Sequence, residues 1–480
     1  MALRRVLGVW SVVAFGVTNE IAAGLFFVST QIQATAPGAG DFVPWLMLVG
    51  GFLTLLTALA YRTFFAYGLT GAGGEYVILR ATVGRAGAFL ATLLAWFGVT
   101  GSLGTLAYVA PGFLANACSA LGFTHASIAL QSHLGTLVCG LVLIWGAWLV
   151  HVRGVRLAGA VAVAAMLFVV AVALTLTGYG FATSHATFDA ALVAHLHLTA
   201  RHVIAAAPAQ HQSVRAALWT ALPLLFFGYL GLSTATQTGG EAIDARRSLS
   251  RGVLVAVAIV TTVYTLFTFA IYHAVPWRVI AGLAARHEAT YATSTGLLGI
   301  VMPPWLSSLM NLFVAVIIVK TFVPLFLAQS RWVYAWAQDG VLPRALAATH
   351  PRFLSPLAAL TIGALAGSLS LAESLSAGYV FGVSLRVLSV MAVFFLIGIG
   401  LMRYDPPVPI ARVALGAAIA AFSAWFALSL VASSTREAFW LQPVVQSAIV
   451  LLCGALIYRT TSGLRRAPAP ADPRAERPNT

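Results

Sequence analysis

Apolar residues run along this chain in blocks of about twenty, separated by short breaks rich in Gly, Pro and charged or polar residues. An α-helix needs roughly 20 apolar residues to cross a hydrocarbon core. The blocks predict spans near residues 8–33, 44–66, 86–116, 132–150, 157–180 and 216–238, then 252–275, 305–336, 356–371, 378–402, 409–431 and 443–460. That pattern describes an all-α integral membrane protein with about 12 transmembrane helices. Arg4 and Arg5 ahead of the first run resemble a secretory leader, but the run continues past Thr30 and reads as the first span. Residues 1–463 read as a single transmembrane domain, and residues 464–480, rich in Pro, Arg and Ala, as a disordered tail.

Composition points the same way. Hydrophobic residues make up 60% of the chain and charged ones 8%, against roughly 25% charged in soluble domains, and a water-soluble surface cannot be built from that. A net charge of +14 would suggest nucleic acid in a soluble protein, so its distribution decides its meaning. With the N-terminus inside, the inner breaks carry 20 arginines and the outer ones 5, the bias of the positive-inside rule. Both termini are therefore expected in the cytoplasm, and the charge orients the chain without implying nucleic acid. The Arg-rich, Lys-poor composition suggests a prokaryote and its plasma membrane.

Chemistry of the enzymatic kind is not encoded in any motif found. There is no HExxH, no GxSxG and no cofactor motif, so the expectation is no enzyme, no cofactor and no metal. Cys118, Cys139 and Cys453 lack metal-type spacing. The longest outer connection, residues 181–212, holds His185, His195, His197, His202 and His211. Without a Cys or carboxylate cluster to complete a site, it reads as a polar, partly helical cap.

Two segments break the apolar rule at mid-membrane depth. The first span contains Asn19-Glu20-Ile21-Ala22-Ala23-Gly24-Leu25-Phe26, and the sixth contains Phe226-Phe227-Gly228-Tyr229-Leu230-Gly231-Leu232-Ser233. Small residues at such depth commonly serve helix packing. Two such segments, each opening a set of five helices, instead suggest interrupted helices in an inverted repeat around a central site.

The first segment resembles the IGxGIF signature of the amino acid, polyamine and organocation (APC) superfamily. Gly71-Ala72-Gly73-Gly74-Glu75-Tyr76-Val77 is similar to its PxaGGeYvY loop, Glu241 to Arg247 to its EvKnPRR stretch, and Arg331 to Pro343, RWVYAWAQDGVLP, to its SRvlyamArDGllP motif. The resemblance implies a LeuT-type fold, a 5+5 inverted repeat with discontinuous helices 1 and 6. Repeat one would cover about 8–180 and repeat two about 216–402, with peripheral helices at about 409–460. It implies an amino acid substrate whose carboxylate meets the backbone N–H groups of Ala23 and Gly24 and whose ammonium meets carbonyls at Glu20, Phe227 and Leu230. Phe227 and Tyr229 would supply aromatic surface, Phe227 as a lid. Charges near Glu75, Glu241, Arg246, Arg247 and Asp339 would belong to an inner gate. The sequence departs from the family at Ala22, Ala245 and Ser233, and its fifth span lacks the Lys that many relatives carry.

Lys320 is the only Lys, amid Ile318, Val319 and Phe322 in the eighth span. A basic residue at that depth costs roughly 2.5–3.5 kcal/mol and normally faces a partner or a wet cavity. It is expected to supply the charge that the fifth span lacks, with Glu20 as counter-charge, the pair acting either in proton coupling or as a static bridge. Arg386 lies 17 residues before Arg403, about 25 Å along a helix, and is expected to snorkel to the outer interface, a gating or carboxylate-attracting role being the alternative. The reading is a permease in the plasma membrane moving amino acids by alternating access, most simply as a symport with a coupling proton. Amino-acid or polyamine exchange and a non-transporting sensor are the alternatives.

Overall fold

In the computed structural model the described residues are 3–22, 24–205, 207, 213–285, 293–377, 383–435 and 438–461. Among these residues ten helical stretches, Pro304–Gln338 counted as one, are long and apolar enough to cross a membrane. The other two segments expected to span, 8–33 and 216–238, are broken into shorter helices.

The first break separates α1 (Val9–Glu20) from α2 (Gly24–Thr35). Then come α3 (Val43–Ala66), the short α4 (Glu75–Thr82), the 37-residue α5 (Gly84–Ala120), α6 (Thr124–Gln131), α7 (His133–Val152) and α8 (Val155–Ala182). The connection that follows holds α9 (His185–Leu196) and α10 (Ala200–Ala205). The second break separates α11 (Val214–Phe227) from α12 (Ser233–Thr236), which runs into a 3-10 turn at Gln237–Gly240. The remaining helices are α13 (Ala245–Ala274), α14 (Trp277–Ala285), α15 (Ser294–Gly299), α16 (Pro304–Lys320), α17 (Phe322–Gln338), α18 (Leu357–Ala377), α19 (Val383–Arg403), α20 (Ile410–Ser434) and α21 (Pro443–Thr460). Residues 464–480, expected to be disordered, fall outside the described residues, as does His211.

In lipid a helix is stable because it pairs its own backbone groups, and its polar side chains must do the same. Thr54, Thr92, Thr100 and Thr177 each return a hydroxyl to the carbonyl four residues back, at 2.7–2.9 Å. The outer faces of α18 and α21 present Leu369 and Leu452, 73% and 72% exposed. Such surface is unfavourable in water and neutral in hydrocarbon.

The Arg-rich end of the bundle is closed by backbone and ionic contacts. Val6 and Leu7 donate to the Glu241 carbonyl at 2.8 and 2.9 Å, and Ile243 donates back to Leu7 at 3.0 Å. The loop before α4 tucks beneath the end of α12 through Gly73 and Gly74, with φ of 94° and 48°. A side chain on Gly74 would be strained and would collide with Thr236 and Gln237. At the opposite end α14, buried along Val279 to Leu283, packs against α2. There Gln33 in α2 donates to the Gly40 carbonyl and to the Tyr272 hydroxyl, both at 2.8 Å.

Candidate functional site

Ending a helix strips carbonyls of their partners. The amide of Ala22, which would have closed the turn on Thr18, bonds instead to the Glu20 carbonyl at 2.8 Å, and Leu25 bonds to Ala22 at 3.3 Å, passing over Ile21. The carbonyls of Thr18 and Ile21 are both taken by Lys320, whose Nζ donates to Thr18 and to Ile21, the latter at 2.6 Å. A cation at the C-terminal end of α1 also complements that helix's dipole. Lys320 itself closes α16: Pro324 lacks the N–H that would pair with the Lys320 carbonyl, and the helical run is interrupted at Thr321.

Lys320 thus reaches the break in the first span, but it ends on backbone oxygens, and no Lys320–Glu20 ion pair forms among the described residues. Glu20 is buried and turned toward the other break, where the Leu232 amide approaches its carboxylate. Neither carboxylate oxygen makes a hydrogen bond of ordinary geometry. Asn19 ties the two breaks together, donating to the Thr234 hydroxyl at 2.5 Å and lying 3.4 Å from the Gly231 carbonyl. Gly231 has to be glycine here, because a Cβ would sit 2.5 Å from the Glu20 backbone nitrogen. From α13 the Tyr264 hydroxyl is shared between the Glu20 carbonyl at 2.9 Å and the Gly228 carbonyl at 3.4 Å.

Between the breaks lies a cavity of about 290 Å³. Glu20, Gly24, Leu230 and Gly231 form its polar-backbone wall; Ser102 and Thr105 of α5 add hydroxyls; Leu106, Val109, Phe113, Ile318 and Leu325 make it largely apolar. Ala23 lies outside the described residues, as does the side chain of Phe227, whose backbone closes α11. Tyr229 is turned away from the cavity: its hydroxyl donates to the Met47 carbonyl at 2.8 Å and its ring packs against Tyr264.

Arg386 corrects the sequence reading. It does not reach an outer interface but is 8% exposed and lines the same cavity. Its Cα lies so close to Gly98, in the middle of α5, that a Cβ there would approach to 2.7 Å. The distance counted back from Arg403 carried no information on where α19 crosses α5, and that crossing sets the depth. Tyr264 was also missed, since a single Tyr in an apolar helix carries no signal of its target.

Below the cavity the sealed end holds the remaining charges. Arg331 and Glu241 form a fully buried two-pronged pair at 2.7 and 3.0 Å. Asp339 receives Arg80 at 3.1 Å, Arg85 at 3.2 Å and the Tyr76 hydroxyl at 2.6 Å. Glu75 receives the Tyr61 hydroxyl at 2.5 Å; burial pushes its carboxyl up to about 7, against the opposing pull of Tyr61 and Arg386. Arg246 and Arg247 line a shallow depression at this end.

The amino acid permease family model matches residues 7–453, nearly the whole chain and every residue that lines the cavity. The chain belongs to the amino acid permease family. An uncharacterized transporter of Mycobacterium tuberculosis is 28% identical over 373 residues, covering 77% of this chain and 74% of its own. A branched-chain amino acid permease of Lactococcus lactis is 24% identical, with 78% of each chain covered. A vacuolar cationic amino acid transporter of Arabidopsis thaliana is 27% identical over 192 residues, covering 38% of this chain and 29% of its own. These relatives are transporters, in keeping with a permease built around a cavity and two helix breaks. Membership makes this a multi-pass membrane protein of amino acid transport.

Proposed function

We propose that the protein is a secondary transporter that carries aliphatic amino acids across the cell membrane by alternating access, coupled to a proton. The observation that carries the reading is the cavity between the two helix breaks, where stripped backbone groups and an apolar wall converge. The backbone N–H groups of Ala23 and of Gly24, the residue that opens α2, would receive the substrate carboxylate, and carbonyls at Glu20, Phe227 and Leu230 its ammonium. The apolar wall suits an aliphatic side chain, as do the branched-chain permeases among the relatives. In this proposal the Arg-rich end faces the cytoplasm, both termini lie there, and the two sets of five helices move as inverted repeats.

Lys320 supports a sodium-independent mechanism, because a fixed ammonium already fills the position at the first break where a bound cation would otherwise hold the carbonyls. Glu20, buried between the breaks without a fixed donor, is the group that takes and releases the proton as the helices move. Uptake of labelled leucine into proteoliposomes under an imposed pH gradient, with and without sodium, tests this. Uptake that follows the pH gradient and ignores sodium is expected. Sodium-driven uptake would overturn the coupling, and an absence of flux for every amino acid tried would overturn transport.

A further inference from the structure

Among the described residues two arginines are buried, and they differ in one respect. Arg331 is fully paired: Nε and Nη2 each meet a Glu241 oxygen and Nη1 meets the Ser330 hydroxyl at 2.8 Å. Arg386, more than nine-tenths buried, makes no ion pair among the described residues, and its Nη1 has no hydrogen-bond partner. Glu75, the carboxylate whose field Arg386 feels, is held by Tyr61. The other cation at this depth, Lys320, is committed to the Thr18 and Ile21 carbonyls. A buried charge without a partner is costly, and Arg386 lines the central cavity beside Ser102 and Thr105.

We infer that Arg386 is a substrate-binding residue of the central cavity, and that its ligand is a carboxylate. The inference rests on the reading of that cavity as the transport site. A guanidinium matches a carboxylate in a planar, two-pronged geometry, and the Ser102 and Thr105 hydroxyls line the same cavity. The carboxylate belongs either to the head group of an aliphatic amino acid or to an acidic side chain. The apolar wall formed by Leu106, Val109 and Phe113 favours the head group, whose carboxylate Arg386 then shares with the Gly24 amide lining the same cavity.

The test compares wild type, Arg386→Gln and Arg386→Lys in proteoliposome uptake of leucine and in ligand-dependent thermal shift of the detergent-solubilised protein. The competitors are 4-methylpentanoate, which lacks the ammonium, 3-methylbutylamine, which lacks the carboxylate, and glutamate. In wild type 4-methylpentanoate should compete and raise the melting temperature. Arg386→Gln should raise the leucine KM tenfold or more and abolish the 4-methylpentanoate shift while leaving any effect of the amine unchanged. Arg386→Lys should retain part of the carboxylate preference, and serves if the Gln variant does not fold. Leucine in preference to glutamate assigns the head group, and the reverse assigns an acidic side chain. Both variants binding 4-methylpentanoate as wild type does would overturn the inference, as would Glu75→Gln reproducing the Arg386→Gln effects, since Arg386 would then be a gate partner. Arg386-dependent binding without flux in wild type would uphold the carboxylate site and overturn the transport reading alone.

Discussion

The Lys320 ammonium lies 2.6 Å from the Ile21 carbonyl oxygen, at the point where the first span stops being a helix. Its second bond, to Thr18, reaches back into the last turn of the same helix. One side chain from α16 therefore satisfies two of the backbone oxygens that the unwinding leaves without a helical donor. Unpaired carbonyls do not survive in a lipid interior, so the break and the lysine are parts of one structure.

Replacing Lys320 with Met should lower the melting temperature and cut amino acid uptake at least tenfold. The substitution returns the cost of burying an ammonium, but it strands two carbonyls at about 1–3 kcal/mol each. A net destabilisation of about 2 kcal/mol is expected on that balance. Thermal unfolding in detergent and leucine uptake measure the two effects. Unchanged uptake with unchanged response to a pH gradient would reduce Lys320 to a packing residue.

How much of this could be read from sequence depends on what carries a label. Polar and small residues at 19–24 and 228–233 stand out in apolar spans, so the places where the helices break are visible. A lone lysine in an apolar run must find acceptors, which is legible as well. Its acceptors are not, because carbonyl oxygens are the same at every position, and the nearby acid, Glu20, is the partner the letters suggest. The depth of Arg386 is set by the contact of α19 with Gly98, a tertiary fact that no spacing within α19 contains. The short α14, buried against α2, falls in a stretch that reads as a connection because it is too short to span.

Tyr264→Phe isolates the link between the two breaks. The ring stays packed against Tyr229, and only the hydroxyl between the Glu20 and Gly228 carbonyls is lost. A stability loss of about 1 kcal/mol is expected for one such bond. The larger effect should be on the substrate KM, since both carbonyls belong to cavity-lining residues. Michaelis kinetics in proteoliposomes would show it, and an unchanged KM would place Tyr264 outside the site.

Arg331 and Glu241 are both buried at the sealed end, so either single neutralisation leaves a charge without its partner. Arg331→Gln and Glu241→Gln should each destabilise that end by about 3–5 kcal/mol. The double variant should recover most of the loss, because no orphaned charge remains. Cysteine labelling from the Arg-rich side should rise in the singles and fall back in the double. Additive losses in the double variant would mean that the two residues act independently.

Glu75 gives the same end a pH dependence whose sign follows from its proton affinity. Its carboxyl rises from an ordinary value near 4.5 to about 7 in the folded, sealed structure, with burial as the cause. Between those values the folded form holds the proton that the unfolded form has released, so the folded state gains most below about pH 4.5. The gain is lost as pH rises toward 7 and stays lost above it. A shift of that size corresponds to at most about 3 kcal/mol. The melting temperature of the wild type should therefore fall between pH 5 and pH 8 by more than that of Glu75→Gln, whose amide can still accept from Tyr61 and does not titrate. Every other ionisable group is common to both proteins, which is why the difference between the two curves is the quantity to measure. Parallel curves would show that Glu75 keeps its ordinary affinity and that the sealed end does not respond to protons through it.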